Sequence, residues 1–360
     1  MGNSRKFIQI DMDCFFAAVE MKKRPELKHV PMAIGGSTKR RGVIATCNYP
    51  ARHFGVHSAM ATSQALKLCP QLVLVPGSMK EYTDISKQIM AILRTFTDQV
   101  EVVSVDEAFL DVTDCELFEG SATLIAQAIR ERIFLETGLT ASAGIAPLRF
   151  VAKIASDENK PNGMFVVSPK CIDAFVASLP LKKIPGVGKV TQEKLKKYGL
   201  ETCQHVRDQD LNFMLDKFGK FGLSIWQKSH AIDKRGLSFD RERKSVGVEH
   251  TLSNDIHSFE QCCDCLFDLL ERLKGRIQDK AKFGVTTIGV KLKFNDFKST
   301  SVEQKTNQIS VELFKELLQQ ALLRKENRSI RLVGIFVNLP SSYLCKQLEL
   351  FEKQQGLLGL

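Results

Sequence analysis

Residues 100–112 read VEVVSVDEAFLDV, and together with FIQID at 7–11 they decide the fold. Val, Ile, Phe and Leu at this density favour extended chain, so 100–112 is expected as strand and 7–10 as a second strand closed by Asp11. Neighbouring residues on a straight strand face opposite ways. Asp106 and Glu107 can therefore serve one site only if the chain turns there, as at the tip of a hairpin between Ser104-Val105 and Ala108. With Asp11 alongside, three carboxylates offer hard oxygen ligands suited to Mg²⁺, and two such ions can hold the attacking and leaving oxygens of a phosphoryl transfer. The other reading is that acidic strand ends are ordinary solvated turns, as Asp13 and Asp111 are expected to be. Spacing alone leaves both open.

Working outward, Cys14 to Met21 has helical composition and Arg24-Pro25 stops it. Pro31 to Gly35 and Gly42 to Thr46 read as short strands around the turn GGSTKRR. Thr62 caps a helix that ends before Pro70, and 83–97 carries Ile85, Ile89, Ile92, Leu93 and Phe96 at helical spacing. Ser121 caps a helix to Glu136 that Gly138 ends, and 140–146 and 164–167 supply two further strands. The result is an α+β domain of about 165 residues. From 167 to 233 the pattern changes to short helices with many lysines. The stretch 234–244, KRGLSFDRERK, carries five basic and two acidic residues without apolar periodicity and reads as a linker. Beyond it the order is strand (245–252), helix (258–280), strand (286–294), strand (298–304), helix (310–323), strand (330–339). This βαββαβ order predicts a split, ferredoxin-like arrangement with helices on one face of a four-stranded sheet.

At 360 residues the chain is too long for one core, and 44% hydrophobic with 26% charged residues is the balance of a folded protein. No apolar run approaches the roughly 18 residues of a membrane span. The start, MGNSRKFIQID, has no signal-peptide core, and Lys6 stands where a myristoylation motif needs Ser or Thr, so a cytoplasmic protein is expected. Fifty-one Lys and Arg against 41 Asp and Glu leave a net charge of +10, which favours a polyanionic partner. The ten cysteines show no disulfide framework. Cys262, Cys263 and Cys265 cluster on a helical segment without a second Cys/His pair, so reduced, buried thiols are expected rather than a zinc site.

A second constellation is LKKIPGVGK (181–189), followed by Leu195 and Tyr198: a short helix, a Gly-x-Gly turn and another helix. Gly186 and Gly188 let backbone amides approach a phosphate, with Lys189 and Lys182, Lys183, Lys194, Lys196 and Lys197 around them against Glu193 alone. This helix-hairpin-helix suits sequence-independent contact with a DNA backbone.

Six segments now combine: DMDCFFAAVE (11–20), RRGVIATCNYPARHFGVHSAM (40–60), SVDEAFLDVT (104–113), ASAGIA (141–146), IASDENKPNG (154–163) and KIPGVGK (183–189). In this order they resemble the Y-family translesion DNA polymerases, most nearly the bacterial DNA polymerase IV (DinB) branch, from Phe7 to the C-terminus. The resemblance implies a right-hand polymerase: palm at 1–11 and 76–166, small fingers at 12–75, helical thumb at 167–233, basic linker at 234–244, little finger at 245–343 and a clamp-binding tail at 344–360. It implies a low-fidelity, template-directed DNA polymerase that adds dNTPs by two-metal transfer with two Mg²⁺ and no 3′→5′ exonuclease. Asp11, Asp106 and Glu107 match the catalytic carboxylates, the Met12 backbone carbonyl a further metal ligand, and Phe16 the steric gate against a 2′-hydroxyl, with Phe15 as core. Tyr49, Arg52 and Lys160 match the groups that hold the triphosphate, and Tyr82 an aromatic against the nucleotide site. Gln347, Leu348, Leu350 and Phe351 resemble the motif that docks into the bacterial sliding clamp, and 355–360, QGLLGL, forms a second leucine-rich peptide. Primer–template DNA, dNTPs and the clamp are the expected partners of a monomer with no membrane association. Two rivals remain. A silent DNA-binding scaffold is opposed by the intact carboxylate set. A metal-dependent nuclease or cyclase is opposed by Phe15-Phe16 and NYPAR.

Overall fold

The computed structural model describes residues 4–239, 242–277 and 284–340. Chain contacts divide it into two units: Met1–Gly35, Ile44–Met60 and Gln64–Phe239 form the first, and Gly36–Val43, Ala61–Ser63 and Asp240–Leu360 the second.

The strands of the first unit are β1 (Phe7–Met12), β2 (Met32–Gly35), β3 (Ile44–Cys47), β4 (Val73–Val75), β5 (Val100–Val102), β6 (Glu107–Asp111), β7 (Ala141–Ala146) and β8 (Met164–Val166). Its helices are α1 (Phe15–Lys23), α2 (Tyr49–His53), α3 (Thr62–Leu68, whose first two residues are grouped with the second unit), α4 (Met79–Arg94), α5 (Ala122–Thr137), α6 (Arg149–Glu158), α7 (Ile172–Ser178), α8 (Lys189–Lys196), α9 (Cys203–Arg207) and α10 (Leu211–Ser229). The central sheet runs β5-β6-β1-β7-β8, with β1 antiparallel to both neighbours. Period-2 burial splits β1 between two cores. Ile8 and Ile10 join Ile89, Leu93, Ile125 and Ile129 of α4 and α5 on one face, and Phe7 joins Phe150, Val151 and Ile154 of α6 on the other.

The small residues of ASAGIA have a packing reason. A Cβ on Gly144 would lie 2.0 Å from the Ala152 carbonyl oxygen and 2.3 Å from the Ser156 amide, so α6 can press on β7 only over a glycine. Ser121 caps α5 by accepting from the Leu124 amide, and Gly138 ends it at φ 68°. The expected single strand over 100–112 is broken in two. Residues 103–106 form the tip of the β5–β6 hairpin, where the Val103 and Ser104 amides both donate to the Glu107 carbonyl, at 2.9 and 3.2 Å. β propensity marks extended residues but carries no signal for this turn, which lacks glycine and proline.

In the second unit, β9 (Ser245–Ile256), α11 (Phe259–Ile277), β10 (Thr287–Phe294), β11 (Ser299–Lys305), α12 (Val311–Leu322) and β12 (Ile330–Asn338) follow the expected order. The sheet is antiparallel in the order β11-β10-β12-β9. This corrects the ferredoxin-like expectation, in which the first strand is central: here β9 is an edge, and β10 and β12 fill the middle. Both βαβ pairs are still split, β12 lying between β9 and β10, and β10 between β11 and β12. Element order does not choose between these sheets; the matching of apolar faces does. Val246, Val248, Val290, Leu292, Val333 and Ile335 meet Leu266, Leu269, Leu273, Phe314 and Leu317 in one core. Lys291 and Lys293 alternate with these buried positions on β10. Arg41 of the short 36–43 segment pairs with Asp255 at 2.6 Å in this unit. The tail at 344–360, with Gln347, Leu348, Leu350 and Phe351, lies outside the described residues. No helix among the described residues is long and apolar enough to cross a membrane.

Candidate active site

The register of the central sheet brings the acids together. Asp11 lies opposite Glu107 across β1–β6 and opposite Ser142 across β1–β7. One residue on, the Met12 amide donates to the Asp106 carbonyl at 3.0 Å. Both acids of the hairpin tip thus border the end of β1. Each carboxylate is held by its own partner. Lys160 Nζ is 2.5 Å from Asp11 Oδ1 and 3.2 Å from Asp157. Lys153 Nζ is 2.5 Å from Glu107 Oε2, and the Ser104 hydroxyl donates to Asp106 at 2.5 Å. Burial pushes the Asp11 carboxyl up to about 7, with Lys160 pulling it down and Glu107 adding to the rise. Burial works to lower the Lys160 ammonium, but Asp11 outweighs it and its pKa is raised.

As these side chains stand, no group of three or more His, Cys, Asp or Glu among the described residues is set to hold a metal ion. The donor chemistry nevertheless fits a hard divalent cation. A buried carboxylate and its cross-strand neighbour supply hard oxygens, and each already draws a positive charge onto itself.

Asp13 is not the solvated turn residue that its place in the sequence suggests. It is buried, and it accepts from the Ser142 hydroxyl and the Asn162 amide, both at 2.8 Å. Arg130 braces the same loop by donating to Ala141 O at 2.8 Å and Asn162 O at 2.6 Å. These contacts hold the segment that carries Lys160. Phe15 is core, whereas Phe16 is half-buried and stacks on Tyr82, with ring centroids 4.3 Å apart at 13°. Tyr82 is only 1% exposed, and its hydroxyl donates to the buried Glu20 at 3.0 Å. It therefore backs Phe16 and presents no open face to a nucleotide, the position that the resemblance implied for it. Tyr49 is half-buried with its hydroxyl 3.5 Å from Asp13, and the exposed Arg52 lies over its ring at 4.8 Å. Asn48 positions both by capping α2 at the Ala51 amide.

The Gly-x-Gly hairpin and the helix after it form as expected, but the short helix expected before it is a 3₁₀ turn at Leu181–Lys183. Gly186 takes φ +99°, which favours glycine, and Gly188 precedes the first residue of α8. Lys182, Lys183 and Lys189 are exposed. From beneath, the buried Lys228 of α10 donates to the Pro185 carbonyl at 3.0 Å. A groove of about 450 Å³ runs between this hairpin and α6, lined by Lys153, Asp157, Lys182, Lys183, Gly186 and Gly188 among others. Lys153 was not found by sequence reasoning. Nothing local in the sequence signals it, because its partner Glu107 is 46 residues away in the chain. The nine cysteines among the described residues are free, and Cys262 is a buried thiol pushed up to about 12 by that burial.

Comparison with known proteins follows this geometry. Residues 10–157 match the impB/mucB/samB family, 243–350 its C-terminal domain, and 169–200 the IMS family HHH motif. The chain is 57% identical over 354 residues to DNA polymerase IV of Pseudoalteromonas atlantica, covering 98% of this chain and 99% of that one. It is 56% identical to DNA polymerase IV of Shewanella sp. strain MR-7, covering 94% of each. Among solved structures, a Y-family DNA polymerase chimera of Dbh and Dpo4 superposes with a TM-score of 0.84 at 28% identity, over 92% of this chain and 98% of that one. An insertion ternary complex of Dbh DNA polymerase gives 0.65 at 27%, over 93% and 98%.

Proposed function

The chain belongs to the impB/mucB/samB family and is a Y-family DNA polymerase of the DNA polymerase IV branch, and from that premise we propose how its residues divide the work. It extends a primer 3′-hydroxyl with dNTPs in template order, at low fidelity and without proofreading, as translesion synthesis requires. The observation that carries this reading is the register pairing Asp11 with Glu107, with Asp106 one residue away and Phe16 just beyond on α1.

Asp11, Asp106, Glu107 and the Met12 carbonyl would hold two Mg²⁺. Bound there, such ions supply Lewis acidity and a clamp on the attacking and leaving oxygens. Glu107, at the end of β6, accepts the hydrogen bond of the primer 3′-hydroxyl and so points its lone pair at the α-phosphate. Tyr49 offers a hydroxyl donor, Arg52 a planar fork and Lys160 a compact charge to the triphosphate oxygens, which orients the leaving group. The Phe16 ring, braced by Tyr82, lies under the sugar and leaves no room for a 2′-hydroxyl. Exposed small residues, Ala45 and Ala59, enclose the base pair loosely and so check its shape weakly. The amides of Gly186 and Gly188, with Lys189, hold the DNA backbone. In this reading the palm is 1–11 and 76–166, the fingers 12–75, the thumb 167–233 and the little finger 245–343. Gln347, Leu348, Leu350 and Phe351 recruit this cytoplasmic monomer to a sliding clamp.

Primer extension on an undamaged template with Mg²⁺ tests the reading. The wild type adds templated dNTPs, Asp106→Ala loses at least about a thousandfold in rate, and Phe16→Ala gains ribonucleotide use. A wild type that binds DNA and adds nothing establishes the scaffold; one that shortens the primer establishes the nuclease.

A further inference from the structure

Lys153 has no place in the division of work above, yet it holds the carboxylate that the reaction needs most. Its ammonium is 2.5 Å from Glu107, and both side chains are partly open to solvent. Its stem emerges from α6, which packs on β1 and β7, so backbone motion of the helix is not needed to redirect it. The groove that it lines lies between α6 and the hairpin, with Lys182 and Lys183 on its far side and Asp157 as the acid among its lining residues; Lys153 itself is the link from this groove to Glu107. Asp157 is already paired with Lys160 at 3.2 Å, and Lys183 with Glu158 at 2.5 Å.

We propose that Lys153 is a positioning residue with two alternating contacts: it competes with a divalent cation for Glu107, and once displaced it takes a phosphate of the primer backbone in the groove between α6 and the hairpin. The argument is one of charge. An ammonium and a divalent cation cannot both approach one carboxylate closely without strong repulsion. Cation binding at Glu107 therefore expels Lys153 into a groove lined by further cations and by hairpin amides, where a phosphodiester is the complementary partner. Primer seating and cation loading are then coupled through one side chain. This rests on the polymerase reading for the identity of the strand, while the competition at Glu107 does not.

Two measurements on the full chain test it. First, Mn²⁺ binding to the DNA-free protein is followed by electron paramagnetic resonance, with no turnover involved. Lys153→Met, which keeps the stem and removes the charge, binds Mn²⁺ about tenfold more tightly than wild type, whereas Lys153→Arg does not. Second, primer–template affinity is measured in EDTA and in non-reactive Ca²⁺. Lys153→Met equals wild type in EDTA and is weaker by about three- to tenfold in Ca²⁺, with the salt slope lower by about one. A thermal melt identifies a misfolded Lys153→Met, in which case Lys153→Gln takes its place. Unchanged or weaker Mn²⁺ binding in a folded variant overturns the competition. Equal loss of DNA affinity in EDTA and Ca²⁺ overturns the exchange. If the wild type fails to extend a primer, the polymerase reading falls by a separate result, and the Mn²⁺ outcome stands on its own.

Discussion

At Tyr82 the ring area that apolar packing requires and the hydroxyl that burial must satisfy are served by different partners, Phe16 and Glu20. A buried phenol without an acceptor would carry a desolvation cost of about 1–3 kcal/mol. Glu20 meets it while itself drawing Lys23 and Arg24, both at 3.4 Å. The aromatic pair is therefore anchored from behind, which stiffens Phe16 in the position proposed for the gate. Charge at the end of the first unit follows a simpler rule. Burial works to raise the Asp233 carboxyl, but the Arg235 guanidinium beside it wins and holds it below the usual carboxylate range. A depressed carboxylate contributes stability above its unfolded value, near 4, and loses it as pH falls through the lower folded value. Asp233→Asn should cost about 1 kcal/mol or less at pH 7, because Arg235 is largely exposed, and the difference should shrink as pH falls below about 4. Urea midpoints of both proteins across that range check it; a difference that grows on acidification has the wrong sign.

At the scale of the element, α6 and β7 show how one glycine places the side chain that pairs with Glu107. The close approach over Gly144 brings Val151, Ile154 and Ala155 into the core and leaves Lys153 on the outer side. Gly144→Ala would drive a methyl into the backbone of α6. The helix must then shift, at about 2 kcal/mol or more, and Lys153 and the 159–163 loop shift with it. Trp226, the single tryptophan, lies in the same unit and reports unfolding by fluorescence. An unchanged urea midpoint with full primer extension would show that the contact yields freely. Elements were legible where periodicity is strong: α5 with its Ser121 cap and Gly138 stop was expected within one residue at each end. The β5–β6 hairpin was legible only as a condition, a turn needed if Asp106 and Glu107 are to share one site, since the run lacks the glycine or proline that marks a turn. Only the neighbour β1, paired along β6 to Glu107, fixes where the extended run must break.

Over the whole molecule, a net charge of +10 and separate basic features on both units favour a long anionic partner. On the proposed reading, residues 344–360 would act by tethering the chain to a sliding clamp and not by chemistry. Removal of residues 344–360 should leave unassisted extension within about twofold of the full chain and abolish stimulation by a sliding clamp, since a tether acts only through effective concentration. Extension assays with and without clamp measure both. Equal stimulation of the truncated chain would move the clamp contact elsewhere.

The sequence by itself marked Asp11, Asp106, Glu107, Phe16 and the Gly-x-Gly hairpin as candidates, because residue type and short motifs are local and their order along the chain resembles a known family. It also determined the order of the elements, because hydrophobic periodicity is local. What only the tertiary structure decided depends on residues far apart in the chain. The β9 edge of the second sheet follows from which apolar faces meet. The buried Asp13 and Tyr82 take their tasks from Asn162 and Glu20, 149 and 62 positions away. Lys153 meets Glu107 across 46 residues because a glycine lets one helix lie close on one strand.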